Sequence, residues 1–399
     1  MKYDLVFEGG GAKGIVFVGA MEVFAAHNHT FDRLIGTSAG AITATLLAAG
    51  YTPAEMLAAL NERQDGKPVF TTFMGTPLPF DKEHVANSAT RNLLHRINNP
   101  AIPDFVENRM DDKLAEAIAD NEKTRHFYSF VERGGWYSAH HFVDWLRTKL
   151  DAGTVNGQPR RYSEMNMAQF FAATGHELTL TGSDITGGRL LIFNHRTTPT
   201  LPIVWAVRMS MSVPLLWQEV IWLAEWGAYR GIDISDHAIV DGGLLSNFPI
   251  ELLVSEDALV TAVMGEKRSQ NVMGFLIDEQ IPVPNAPPAP AKGTELPNIG
   301  ELRSVQRIQN LVETVTRARD KMVIDAVSDL VVHLPAKGYG TTEFDMDDAR
   351  RAALVTAGRN TMTAYLARPV APQPKDIDFE EWERVTTQVN QIAQGYLEQ

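Results

Sequence analysis

Gly36-Thr37-Ser38-Ala39-Gly40 sets one hydroxyl midway between two glycines. In a G-x-S-x-G elbow the serine occupies a strained turn between strand and helix, where a Cβ at either flanking glycine would clash. Gly36 and Gly40 leave that room, and Ala39 is the next smallest choice. A hydroxyl held this way stands at a helix N-terminus, whose free N–H groups favour developing negative charge. The chemistry it suits is nucleophilic attack on a carbonyl. Upstream, Glu8-Gly9-Gly10-Gly11-Ala12-Lys13-Gly14 forms a second turn whose nearly bare N–H groups are what an oxyanion hole needs. Far downstream, Ala238-Ile239-Val240 reads as a strand running into Asp241-Gly242-Gly243, where a carboxylate projects with little shielding.

Each motif alone has a plainer reading. G-x-G-x-x-G turns are often only tight turns, and their best-known functional form binds a dinucleotide, with an acid about 20 positions on. Asp32 falls near that place, so a dinucleotide-binding enzyme stays open on this motif. An Asp-Gly turn is common and says nothing by itself. The two glycine turns, so close in sequence and each between a strand and a helix, are far less expected by accident.

The elements that position these groups follow from periodicity. Tyr3–Phe7 and Arg33–Ile35 read as short buried strands, and Ile15–Phe24 and Ala41–Ala49 as helices. Thr52-Pro53-Ala54-Glu55 is a capping box opening another helix. Residues 61–133 are polar and mixed, an expected insertion that either caps the site or forms a solvated excursion. Ser138 is expected to cap a helix whose Phe142, Val143, Trp145, Leu146 and Leu150 share one face. His140 and His141 at its start point apart and have no third ligand at a recognisable spacing, so a surface or capping role is expected. Leu178–Ile185 and Arg189–Asn194 form a hairpin across Thr186-Gly187-Gly188, and Pro202–Met211 is a helix. Trp217, Trp222, Trp226 and Tyr229 suit either a buried core or an interfacial membrane contact. Six prolines between 281 and 298 predict an extended loop. Beyond it lie a helix over 301–327 carrying both basic and acidic residues, a strand over 330–334, a helix over 347–366 and a polar C-terminal helix.

The chain of 399 residues can bury a large core. It has no cysteine, which excludes disulfides and thiolate metal sites. A net charge of −13 argues against nucleic acid as a partner, and leaves anionic membranes to any local basic patch. No basic-then-apolar leader and no run of about 18 apolar residues occurs, so a cytoplasmic protein is expected, with leaderless export still open.

Together, Gly9–Gly14, the Ser38 elbow and Asp241-Gly242-Gly243, in that order, resemble the patatin-like phospholipases. Gly135-Trp136-Tyr137, the Thr181–Asn194 hairpin, Ala206-Val207-Arg208-Met209-Ser210 with Ser212-Val213-Pro214, and Asp241 through Pro249 extend the likeness. So do Thr342-Glu343-Phe344-Asp345 and Ala357-Gly358-Arg359. Glu8 stands where the family often has aspartate, and Lys13 where it has arginine. The resemblance implies a three-layer α/β/α fold with a mainly parallel central sheet: a core over 1–280, the proline-rich loop over 281–298, a helix–strand–helix over 299–368 completing the core, and a polar tail over 369–399. It implies a lipid acyl hydrolase of phospholipase A or lysophospholipase type, with Ser38 as nucleophile and Asp241 as base. The oxyanion hole would come from Gly9, Gly10, Gly11 and Ala12, Lys13 would offer a head-group contact, and no cofactor or metal is required. A carboxylesterase, neutral-lipid hydrolase or acyltransferase would use the same dyad. A histidine triad would draw on His237 or His333, and a non-catalytic interaction protein is the bland alternative. The expected partner is a phospholipid or other lipid ester, with peripheral membrane contact and an activator left open.

Overall fold

The computed structural model describes residues 1–64, 66–92, 121–267, 269, 271–288, 320–321 and 323–368, with 387, 391–392 and 394–395. Most of the expected 301–327 helix, the C-terminal helix and the later part of the proline-rich loop lie outside these residues.

Eight strands form one sheet: β1 (Lys2–Phe7), β2 (Thr30–Gly36), β3 (Glu177–Asp184), β4 (Arg189–Phe193), β5 (Val220–Ile221), β6 (Ala238–Asp241), β7 (Val272–Pro282) and β8 (Val331–Lys337). Their order is β5-β6-β3-β2-β1-β7-β8, with β4 paired to β3. The β3–β2–β1–β7–β8 stretch is parallel throughout, while β4, β5 and β6 join antiparallel. Alternation sends side chains to both faces. Leu5, Phe7 and Leu34 pack with α1 (Val16–Ala26) and α2 (Ala39–Ala48), whereas Val6 and Ile35 join a second core with Phe248, Leu253 and Val263. Helices on both faces of a mainly parallel sheet make this a three-layer α/β/α fold.

Four further helices matter to the site: α3 (Pro53–Leu60), α4 (His140–Asp151), α5 (Ile203–Ser210) and α6 (Asp348–Leu366). The Thr52–Glu55 capping box at α3 is complete. At α4 the capping differs from expectation: Ala139 is the N-cap, and Ser138 instead accepts from the His140 amide and bonds His140 Nδ1 at 2.5 Å. The aromatic stretch is interior. Trp217, Trp222, Trp226 and Tyr229 are all buried. Trp217 Nε1 donates to Phe73 O, Trp222 Nε1 to Gly227 O, and the Ile192 amide to Tyr229 Oη. These rings therefore form core and no interfacial belt. Among the described residues no helix is long and apolar enough to cross a membrane.

Strand registration brings distant residues together. Gly36 pairs with Leu180, and Asp241 pairs with Gly182 two residues further along β3. β4 takes the other edge of β3 over Leu180–Asp184, so β2 and β6 share one edge and meet head-on. At about 3.3 Å per residue their ends stand roughly 7 Å apart, and the chain leaving β2 has to turn there.

The entry ends of β1 and β2 are joined by a buried ion pair. Arg33 Nε donates to Asp4 Oδ2 at 2.7 Å and the Arg33 amide to Asp4 Oδ1 at 3.2 Å. Arg33→Leu leaves the fully buried Asp4 without its charge partner, a loss of about 3–5 kcal/mol. We expect a lower urea midpoint for Arg33→Leu, and a smaller loss when Asp4→Leu accompanies it.

Candidate active site

Ser38 is the strained residue that the elbow requires. Its φ of 53° and ψ of −119° are unfavourable for any residue with a side chain. Packing fixes it there. A Cβ on Gly36 would stand 2.3 Å from Gly40 O, and one on Gly40 would stand 2.2 Å from Phe7 O. Thr37 Oγ1 bonds Thr181 Oγ1 at 2.8 Å, and the Ser38 amide donates to Ser210 Oγ at 3.1 Å. The hydroxyl residue is 6% exposed at the head of α2.

Asp241 ends β6 and is 4% exposed. Its amide donates to Ser212 O at 2.9 Å, so Ser210 and Ser212, at the end of α5, anchor the backbones of both Ser38 and Asp241. Beneath them Arg208 is buried, bonding Ser212 Oγ and Gln218 O, and that burial pulls its pKa down to about 9. Asp241 Oδ1 accepts from the Gly243 amide at 2.8 Å, while the buried Oδ2 meets no well-aligned donor among the described residues. Burial pushes the carboxyl up to about 7, against the opposing influence of Ser38, the side chain facing it, and of the Gly243 amide.

The glycine turn stands beside this pair: a Cβ on Gly9 would lie 3.0 Å from Ser38 Cβ. Two of its four expected donors are already engaged. The Gly9 amide donates to Asn247 O at 3.3 Å and the Ala12 amide to Thr341 O at 2.9 Å. The Gly10 and Gly11 amides have no acceptor among the described residues, so these two are the amides of the turn left to meet a further acceptor. Gly11 has a φ of 56° and a Cβ there would strike Thr341 O at 2.2 Å, so only glycine fits. Glu8 at the turn's entrance accepts from the Ile277 amide at 2.6 Å and from Asn247 Nδ2 at 3.1 Å. Burial first, then the nearby Asp320, raises its pKa to about 8, opposed by those bonds and by Lys13.

Other candidates are occupied elsewhere. Lys13, expected at a head group, is 3% exposed and ion-paired with Glu279. His237 Nδ1 lies 2.9 Å from Asp184 and His333 Nδ1 lies 3.0 Å from Asp278, so the hydrogen bonds of both run to carboxylates and not to Ser38. Asp32 sits at the entry end of β2, paired with Lys2 at 2.8 Å. A dinucleotide-binding acid belongs at the exit end, which the Ser38 elbow fills. Asn247 is a residue that motif reading passed over. It bonds Glu8, both main-chain groups of Gly9 and, through its amide, Asp320, joining the Asp241 loop to the glycine turn. Its only signal was its place in the Asp241–Pro249 block.

Two cavities meet at Ser38. One is lined by apolar side chains of α1, α2 and α3 with Phe73, Trp217 and Phe344. The other has mixed walls and carries the charged and polar side chains, Asp241, Lys13, Asn247, Glu279 and Lys321 among them. A catalytic serine at such a junction could receive an ester carbonyl with its chain on one side and its alcohol on the other.

A family model described as patatin-like phospholipase matches residues 5–254. The uncharacterised protein YqhO of Bacillus subtilis (strain 168) is 25% identical over 373 residues, spanning 92% of this chain and 98% of its own. The probable lipid hydrolase 463L of Invertebrate iridescent virus 6 is 23% identical over 250 residues, 63% of this chain and 62% of that protein. Among solved structures, VipD from Legionella pneumophila matches with 17% identity and a TM-score of 0.44, over 91% of this chain and 66% of that one. The chain thus spans less than two thirds of the length of these last two proteins.

Proposed function

The chain belongs to the patatin-like phospholipase family, and from that premise we propose that it cleaves fatty acyl esters of lipids through an acyl-serine, with Ser38 as nucleophile and Asp241 as base. The observation that carries this reading is the Asp241 carboxyl: buried, and interacting with the side chain of the one described serine held in a strained elbow.

Attack begins when ionised Asp241 takes the Ser38 proton and Ser38 Oγ bonds to the ester carbonyl carbon. The carbonyl oxygen becomes an oxyanion, which the Gly10 and Gly11 amides would receive at the N-terminus of the following helical turn. Glu8, with its pKa near 8, remains mostly neutral at pH 7 and so adds little opposing charge. Collapse breaks the ester C–O bond, and the leaving alcohol takes the proton from Asp241. Water, deprotonated by the same carboxylate, then attacks the acyl-serine, and the fatty acid leaves as Ser38 recovers its proton. A carboxylate with an ordinary pKa of about 3.9 would be a feeble base; dry surroundings that lift Asp241 to about 7 make it a better one.

This reading fixes a pH dependence. Below pH 7 Asp241 is protonated and cannot accept, so kcat/KM should rise through a single ionisation with a midpoint near 7. Release of fatty acid from mixed-lipid vesicles, followed by mass spectrometry across pH 5–9, measures the profile and identifies the lipid cleaved. A flat profile between pH 5 and 8 would contradict the base assignment, and absence of any released fatty acid would contradict the activity.

A further inference from the structure

We propose that the apolar cavity beside Ser38 holds a single acyl chain and limits its length, its floor being Val18, Leu46 and Met56. This rests on the hydrolase reading and adds the substrate's acyl specificity to it.

Ser38 is the N-cap of α2, and the α2 residues lining the cavity are Ala39, Ile42, Thr43 and Leu46. Spaced at i, i+3, i+4 and i+7, they form one stripe running directly away from the nucleophile. Val18 of α1 and Ile15, the residue before that helix, supply a further wall, starting from the glycine turn. The chain turns after α2 and returns through α3, which brings buried Met56 to the cavity's far end. The outer wall is closely packed. Phe73 is buried, packed edge-on against Phe70 at 5.1 Å and Phe142 at 5.2 Å, and Trp217 Nε1 is bonded to Phe73 O.

Among the described residues no charged side chain lines this cavity; its polar groups are the hydroxyls of Ser38, Thr43, Thr341 and Thr342 and the indole N–H of Trp217, which is bonded to Phe73 O. A phosphate or ammonium head would lose its hydration there without compensation, so the acyl chain is the part of the ester that enters. Leu46 lies eight residues beyond Ser38, about 12 Å along the helix at 1.5 Å per residue, the length of roughly ten extended carbons. Each methylene buried before the floor should raise kcat/KM about twofold to fourfold, and carbons beyond it should add nothing or lower it.

The test is kcat/KM for saturated 4-nitrophenyl esters from four to sixteen carbons, presented at fixed mole fraction in detergent micelles to the full-length protein. We expect a maximum near eight to ten carbons. Leu46→Ala should move the maximum at least two carbons longer, and Leu46→Phe at least two shorter. The readout is the ratio of long-chain to short-chain kcat/KM, which general destabilisation would leave constant. A wild-type profile that rises steadily to sixteen carbons, or two variants that lower every ester by one factor, would overturn the length limit and leave the hydrolase reading standing. Inactivity of the wild type on every ester and on vesicles would overturn both.

Discussion

Ser38→Ala should reduce lipid acyl hydrolysis on the order of 10⁴-fold or more, with substrate binding nearly intact. Removing a covalent nucleophile blocks the acyl-enzyme route outright, and what survives is the catalysis that oxyanion donors and binding give to direct water attack. The fold should tolerate the change. Alanine keeps the Cβ that already occupies the strained turn, and the Ser38 main chain is held by Ser210 whatever the side chain. Single-turnover fatty acid release, paired with a thermal melt, separates loss of chemistry from loss of structure. A Ser38→Ala protein that still forms product at a tenth of the wild-type rate would remove Ser38 from the mechanism.

The second large effect joins activity to stability. Asp241→Asn removes the base and should lower kcat on the order of 10²–10⁴-fold. The same change should stabilise the folded protein at alkaline pH. Burial raises the Asp241 pKa to about 7, well above the ordinary aspartate value, so the folded state holds its proton more tightly than the unfolded chain. Stability from this group is present below the unfolded pKa and is lost as pH rises towards 7, reaching its full loss above that. An asparagine carries no such loss, so by linkage the variant should gain on the order of a few kcal/mol at pH 8 and little at pH 4. Urea unfolding at the two pH values measures this. An Asp241→Asn protein that is inactive and also less stable at pH 8 would point to a structural role for the carboxylate.

Much of this site is legible because its rules are local. A strained elbow needs Gly36 and Gly40 within two residues of Ser38, and the bare turn needs its glycines in sequence, so both are visible in a short stretch. The parallel core follows from two successive strand–turn–helix units and the resemblance they carry. What a linear reading misses is set by registration. Only the head-on meeting of β2 and β6 over Leu180–Gly182 brings Asp241 to Ser38 across some 200 residues of chain. Asn247, Ser210 and Ser212 act through hydrogen bonds to backbone far away, and nothing in their own neighbourhood announces that. Lys13 has its partner Glu279 on β7, a contact invisible before the sheet order is known. Trp217, Trp222 and Trp226 show the limit of composition, since rings that fill a core and rings that sit in an interface are the same residues. Asp32 was placed by the direction of its strand: it lies at the end of β2 opposite the glycine turn.

The most direct test of a Ser38–Asp241 dyad is the site of modification by a fluorophosphonate, mapped by peptide mass spectrometry. One adduct on the peptide containing Ser38 is expected, forming with the same midpoint near pH 7 as catalysis, absent in Ser38→Ala and slowed in Asp241→Asn. Labelling of another residue, or labelling that persists unchanged in Ser38→Ala, would contradict it.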